Sequence, residues 1–197
     1  MAPEAITGVI LAGGLGRRMG GVDKGMQLLA GRSLVSHVAE RLAPQVDCLL
    51  INANRSQAQY AALGYRVLVD QIPDFAGPLA GLHAALSAAE TPWVATAPCD
   101  SPYLPLDLVS RLAAGLGSSG ADLAVASVAG RLHPVFCLCR ISLRDPLAAY
   151  LRQGGRRVAQ WCDDMGAHRV DFDDQPLAFR NFNTLDDLSI NAGGTNA

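Results

Sequence analysis

Residues 8–25 read GVILAGGLGRRMGGVDKG: an apolar run passes straight into a loop that holds six glycines, two arginines and a lysine. A short continuous apolar run bounded by glycine predicts a strand covered on both faces, over residues 6–12. Without Cβ atoms the glycine backbone takes positive φ values and approaches a ligand closely, so successive N–H groups face phosphate oxygens while Arg17, Arg18 and Lys24 supply charge. A loop after a strand is also where open α/β sheets bind ligands. The competing reading is a flexible connection with incidental charge; the ordered succession of strand, glycines and cations favours phosphate. Two familiar phosphate loops are excluded. A dinucleotide fingerprint begun at Gly14 finds Gly16 in place but Met19 where the third glycine belongs, and the next strand ends at Asn52, not at an acid. A Walker loop needs Gly-Lys followed by Ser or Thr, whereas Lys24 follows Asp23 and precedes Gly25.

Outward from this stretch, apolar runs alternate with amphipathic segments, the pattern of a mostly parallel α/β sheet. Residues 46–52, 66–69 and 93–97 read as further buried strands. Residues 33–43 read as a helix capped by Ser33, with Leu34, Val38 and Leu42 at helical spacing and Pro44 as its stop; residues 79–89 and 106–116 behave alike. Residues 122–128 and 132–139 flank Ala129-Gly130-Arg131, a hairpin turn that brings an antiparallel strand into the sheet. Helices are expected over residues 142–152 and 156–162, and Thr184 to Asp187 resembles a capping box that opens a last short one. The chain, 197 residues and 50% hydrophobic, fills one sizeable core and shows no boundary or repeat, so it is read as a single α/β domain over residues 1–197.

Composition narrows the function. Lys and Arg number 16 against 18 Asp and Glu, and the formal net charge of −2 gives no basic footprint for a nucleic acid. Charged residues are 17% of the chain, below the roughly 25% usual for soluble proteins, in keeping with a sheet buried on both faces. No basic, apolar leader opens the sequence and no run nears the roughly 18 apolar residues of a membrane span, so a cytoplasmic protein is expected. Cys48, Cys99, Cys137, Cys139 and Cys162 include no C-x-x-C pair and read as buried, reduced thiols. His37, His83, His133 and His168 are scattered without metal-ligand spacing; His37 and His83 fall in helical patterns and read as structural.

The string L-A-G-G-x-G-x-R-M-G-G-x-D-K-G over residues 11–25 resembles the signature of the molybdenum cofactor guanylyltransferases, within the wider nucleotidyltransferases. The resemblance implies a three-layer, Rossmann-like fold with a mostly parallel, mixed sheet. It places Leu11, Ala12, Gly13 and Gly14 at the base of GTP, and Arg18 and Lys24 at its phosphates. Trp93 to Ala97 leads into Pro98-Cys99-Asp100-Ser101-Pro102, a carboxylate at a strand end held between prolines. On its residues alone Asp100 is either a hard oxygen ligand suited to magnesium or a cap for the helix near Pro105, a role open to Asp107 as well. The family's P-C-D-x-P stretch implies Mg2+ on Asp100, and makes Arg18, Lys24 and Asp100 the catalytic set. Asn52-Ala53-Asn54-Arg55 and Asp70, at strand ends, resemble the family's nucleoside-binding residues; on their chemistry alone Asn52 and Asp70 read equally as turn formers or as polar partners of a base, and the resemblance favours GTP binding. Gly77-Pro78-Leu79-Ala80-Gly81 is similar to the family's G-P-L-A-G segment at the nucleotide, or is simply a tight helix contact.

Toward the C-terminus, His133-Pro134, Gly154-Gly155-Arg156-Arg157 and Asn181-Phe182-Asn183-Thr184 also resemble family segments. They imply a C-terminal half that takes molybdopterin, with Arg156, Asn181 and Asn183 as its contacts, and an N-terminal half that takes GTP. His133 reads either as a pterin donor or as a packed strand residue. Leu185 departs from the family, which more often has proline there to preorganise a helix start. The implied reaction is attack of the molybdopterin phosphate on the α-phosphate of GTP, with pyrophosphate leaving; the implied protein contacts are transient ones with molybdenum-insertion proteins and acceptor oxidoreductases. The nearest alternative is a nucleotidyltransferase that uses CTP or a sugar phosphate, against which Gly13-Gly14 argues, since CTP-using relatives more often read L-A-A-G. A GTP-binding module without transfer chemistry is the second.

Overall fold

The computed structural model describes residues 4–13, 23–72 and 77–182. In chain order the elements are β1 (Ile6–Leu11), a small antiparallel hairpin of β2 (Leu28–Leu29) and β3 (Arg32–Ser33), α1 (Leu34–Leu42), β4 (Cys48–Asn52), α2 (Gln57–Ala61) and β5 (Arg66–Leu68). They continue with α3 (Pro78–Ala88), β6 (Trp93–Pro98), α4 (Leu108–Ser119), β7 (Leu123–Val128), β8 (Arg131–Arg140), α5 (Arg144–Arg152), α6 (Val158–Asp164) and β9 (His168–Asp171). The expected helix from Thr184, together with Gly14, Arg17, Arg18 and Asn183, lies outside the described residues.

Seven strands form the main sheet in the order β5-β4-β1-β6-β8-β7-β9. β1 pairs in parallel with β4 on one side and β6 on the other; β8 runs antiparallel to both β6 and β7, and β9 returns parallel to β7. The mixed, mostly parallel sheet expected from the hairpin is the one observed. Side chains alternate across it with the period of two that a strand imposes. Ile10 and Ile51 join Val35, Val38, Leu108 and Leu112 of α1 and α4 on one face, while Val9 and Leu50 join Leu79, Leu82, Leu147 and Trp161 of α3, α5 and α6 on the other. Three layers result, and β1 is buried from both sides because its neighbouring residues serve opposite cores.

Local chemistry explains where the boundaries fall. The β7–β8 turn is made by Ala129 and Gly130, both at positive φ (47° and 74°), the mirror-image geometry that matches the twist of a two-residue hairpin. Arg131, expected in the turn, is instead the first residue of β8 and pairs with Val128. Ser33 precedes α1 as expected, but its hydroxyl pairs with the Ser36 hydroxyl at 2.6 Å and not with a backbone N–H. α4 runs past residue 116, where the expected helix ends, through Gly117, Ser118 and Ser119 and stops only at Gly120, whose φ of 68° suits a left-handed cap. The missing Cβ at Gly115 is what admits Val170 and His168 of β9 against this extension. Cys99, Cys137, Cys139 and Cys162 are buried and free, but Cys48 is exposed, because it is the first residue of β4 at the rim of the sheet. Burial pushes the Cys137 thiol up to about 11. Among the described residues no helix is long and apolar enough to cross a membrane.

Candidate active site

The register brings the chemistry to one edge. Leu11 is opposite both Asn52 of β4 and Pro98 of β6, so all three strands end together. The pairing continues one step further: Ala12 N–H donates to the Asn52 carbonyl at 2.8 Å and Cys99 N–H to the Leu11 carbonyl at 3.1 Å. From β1 the chain order moves outward to β4 on one side and β6 on the other, and such a reversal leaves a crevice outside the strand ends. Here it is a cleft of about 290 Å³ lined by Leu11, Ala12, Gly13, Lys24, Asn52, Gly77, Pro78, Pro98, Cys99, Asp100, Val135 and Asn181.

At one end of the cleft lies an amide–carboxylate network. Asn52 is buried and donates to Asp70 Oδ1 at 2.9 Å; Asn54 donates to Asp70 Oδ2 at 2.7 Å and accepts from the Asp70 N–H at 2.9 Å. Two glycines make room for it. A Cβ on Gly81, in the second turn of α3, would overlap Asn52 Oδ1, and one on Gly13 would sit 3.1 Å from both Asn52 Oδ1 and Asn54 Nδ2. The Gly77–Gly81 segment is therefore packed against the polar floor of the cleft, and the N-terminus of α3, with Gly77 at φ 152°, opens beside it.

At the other end Lys24 Nζ donates to Asp100 Oδ2. The Lys24 side chain is only 25% exposed and that of Asp100 10%, so Lys24 is not the solvent-facing loop charge that a glycine-rich stretch suggests. Asp100 Oδ1 is buried with no hydrogen-bond partner, an acceptor left open toward a cation. No group of three or more His, Cys, Asp or Glu able to hold a metal occurs among the described residues. One carboxylate oxygen with no second protein ligand among the described residues fits a divalent ion that keeps its waters and takes substrate phosphates. The helix-capping alternative for Asp100 is not what the structure has: Asp107 precedes α4, and its carboxylate accepts from Gln175 Nε2 at 3.0 Å.

The C-terminal segment returns to this end. Phe182 N–H donates to the Asp100 carbonyl at 2.9 Å, and Ser101 Oγ to Asn181 Oδ1 at 2.8 Å, which sets Asn181 on the cleft wall. Arg156 is not brought there: it is exposed, and its guanidinium donates to the carbonyls of Gly155 and Leu151 at 2.8 and 3.3 Å. His133 packs among Phe136 and Phe179, ring centroids 6.2 and 5.0 Å away, and burial lowers its pKa, which favours the packing reading. His37 Nε2 bonds the Leu29 carbonyl at 2.9 Å, a structural role as expected. Two contacts went unread in the sequence: the Asn54 clamp on Asp70, and the buried Tyr60 hydroxyl, which donates to Asp23 Oδ1 at 2.5 Å. A hollow of about 330 Å³ at the opposite sheet edge lacks such a constellation; its Arg140 already lies 4.5 Å from the Trp93 ring and 2.7 Å from Asp122.

Residues 8–168 match the MobA-like NTP transferase domain. A molybdenum cofactor guanylyltransferase of Cupriavidus pinatubonensis is 50% identical over 199 residues, covering 98% of this chain and 100% of its own. One of Cupriavidus necator is 52% identical over 193 residues, 95% of this chain and 96% of its own. Among solved structures, molybdopterin-guanine dinucleotide biosynthesis protein A of Archaeoglobus fulgidus superposes with a TM-score of 0.76 at 25% identity, over 93% of this chain and 95% of that one. With relatives of half identity that match it from end to end, the chain belongs to the molybdenum cofactor guanylyltransferase family of MobA-like NTP transferases.

Proposed function

We propose that the chain transfers GMP from GTP to the phosphate of molybdopterin, releasing pyrophosphate and leaving the guanine dinucleotide form of the cofactor. The observation that carries this reading is the Lys24–Asp100 pair at the strand-end cleft, a cation and a half-satisfied carboxylate set side by side in a family of NTP transferases. Guanine lies against the backbone of Leu11, Ala12 and Gly13, with Gly14 by resemblance, and the Asn52–Asp70 pair faces its edge; each Asp70 oxygen that accepts one amide keeps a lone pair for a guanine N–H. Lys24, joined by Arg18, holds the triphosphate, so its ammonium exchanges Asp100 for phosphate oxygens when GTP enters. Asp100, with Oδ1 open and Oδ2 released, is the protein ligand for Mg2+. Bound there, the ion would offset the negative charge that develops on the transferring group.

No protein nucleophile or general base is needed, because a phosphate monoester with a second pKa near ~6 is already largely dianionic at neutral pH. The work left to the side chains is placement and charge neutralisation, the terms that dominate phosphoryl chemistry. Asn181 on the cleft wall, with Asn183 by resemblance, contacts the pterin; Arg156 reaches its phosphate by a turn of its guanidinium inward from the exposed segment after α5. The N-terminal half thus serves GTP and the C-terminal half the acceptor within a single domain, in the cytoplasm, with product passing to molybdenum-insertion proteins or acceptor oxidoreductases. Pyrophosphate release tests the reading: it should require GTP and molybdopterin together. Release with GTP alone, or binding of GTP without any release in the presence of both, would point to a hydrolase or a non-catalytic module.

A further inference from the structure

α2 has five residues, too few to be stable on propensity alone. It is entered through Ser56 at φ 50°, a left-handed conformation that costs a non-glycine residue energy. Four of its five residues are exposed and Tyr60 is fully buried, so this costly turn of helix serves to deliver one side chain. The delivered phenol passes under the end of the glycine-rich loop. Its hydroxyl donates to Asp23 Oδ1 at 2.5 Å, and it occupies the space a Cβ on Gly25 would take. The other side of Gly25 is closed by Cys99, whose Cβ and Sγ would lie 3.3 Å from that Cβ, and Cys99 is the residue before Asp100. Tyr60 therefore touches both chain neighbours of Lys24, and a single glycine separates it from the strand end that carries Asp100.

From this geometry we infer that Tyr60 is a positioning residue for guanylyl transfer: its hydroxyl, through Asp23 and the gap at Gly25, sets the backbone on either side of Lys24 so that the ammonium meets Asp100 and the phosphates. The inference rests on the transferase reading above. Burial raises the phenol pKa far above its ordinary value, with the neighbouring Cys99 and the bond to Asp23 adding to it, so the hydroxyl remains a donor at working pH. It also gives the D-K-G triplet a physical logic: Asp23 accepts, Lys24 acts, and Gly25 leaves the room. A tyrosine with a purely packing role would affect stability, and would do so regardless of what stands at position 24.

The test is a double-mutant cycle on kcat/KM for GTP with saturating molybdopterin, using the wild type, Tyr60→Phe, Lys24→Ala and the double variant, each checked for its unfolding temperature. Loss of a hydrogen bond to a charged acceptor predicts about a tenfold fall for Tyr60→Phe alone. In the Lys24→Ala background the same change should cost no more than about twofold, because the lysine it acts through is gone. An equal loss in both backgrounds, or no loss in the wild-type background, overturns the positioning role. Should Tyr60→Phe fail to fold, Asp23→Ala removes the acceptor and enters the same cycle with the same expectations. Failure of the wild type itself to make pyrophosphate would overturn the transferase reading, and is seen before any variant is compared.

Discussion

At Asp100 the two carboxylate oxygens meet different surroundings, Oδ2 facing Lys24 and Oδ1 buried and open. Asp100→Asn keeps the shape and removes the charge, so the variant should fold and lose about 10²- to 10³-fold in kcat at saturating GTP and Mg2+; unchanged turnover would contradict the metal assignment. Lys24→Ala should cost activity to a similar degree and, because the pair is largely buried, stability too. A fully buried pair broken on one side costs about 3–5 kcal/mol; partial exposure here reduces the expected loss to about 1–2 kcal/mol by chemical denaturation. Gly81→Ala forces the Asn52 side chain away from Asp70 and should raise KM for GTP with a stability loss of about 1–3 kcal/mol, read from initial rates and a denaturation curve. The separate residues of this site are legible in the sequence because glycines, a lysine and a proline-flanked aspartate mark themselves by type. Their pairing is not, since Lys24 and Asp100 lie 76 positions apart and Tyr60 and Asp23 lie 37 apart, and only the tertiary fold joins them.

Among the described helices α3 is the most enclosed: every residue from Leu79 to Leu86 is buried, His83 included. Burial lowers the His83 pKa from 6.5, Arg144 of α5 adds to the effect, Asp145 opposes it and Arg152 lowers it further. The unfolded chain thus binds a proton at His83 that the folded one resists, so the stability is present above pH 6.5 and is lost as pH falls through the lowered folded pKa. The unfolding temperature should therefore drop as the pH falls below 6.5, and His83→Leu should flatten that slope; an identical slope in the variant would show that His83 does not cause it. β1, α1, α3 and the β7–β8 hairpin are legible beforehand because each carries a continuous apolar run, a helical spacing or a turn with a defined φ requirement. α2 and β9 are not: five and four residues hold too little pattern, and both exist through what they pack against, Tyr60 in the core and β9 against β7 and Gly115.

At the scale of the whole molecule, the strand order sets where the cleft opens and which polar groups stand beside it. The cleft opens where β4 and β6 part on either side of β1, and the Asn52–Asp70–Asn54 network forms one end of it. A ligand that binds only the folded state stabilises it by about 2.7 kcal/mol at a hundred times its Kd, so GTP with Mg2+ should raise the unfolding temperature and CTP at the same concentration should not. Selectivity in turnover should be larger, because a site built to pair with guanine N–H groups leaves polar atoms unsatisfied when cytosine enters. On the proposed placement of Gly14 at the base, Gly14→Ala should narrow that selectivity, as a comparison of kcat/KM ratios would reveal. The central claim is tested most directly by giving the wild-type protein molybdopterin, Mg2+ and equal concentrations of GTP and CTP, and weighing the product. The expected product is the guanine dinucleotide, with one pyrophosphate released per molecule formed; a cytosine dinucleotide in equal or greater amount, or orthophosphate with no dinucleotide, would rule out guanylyl transfer.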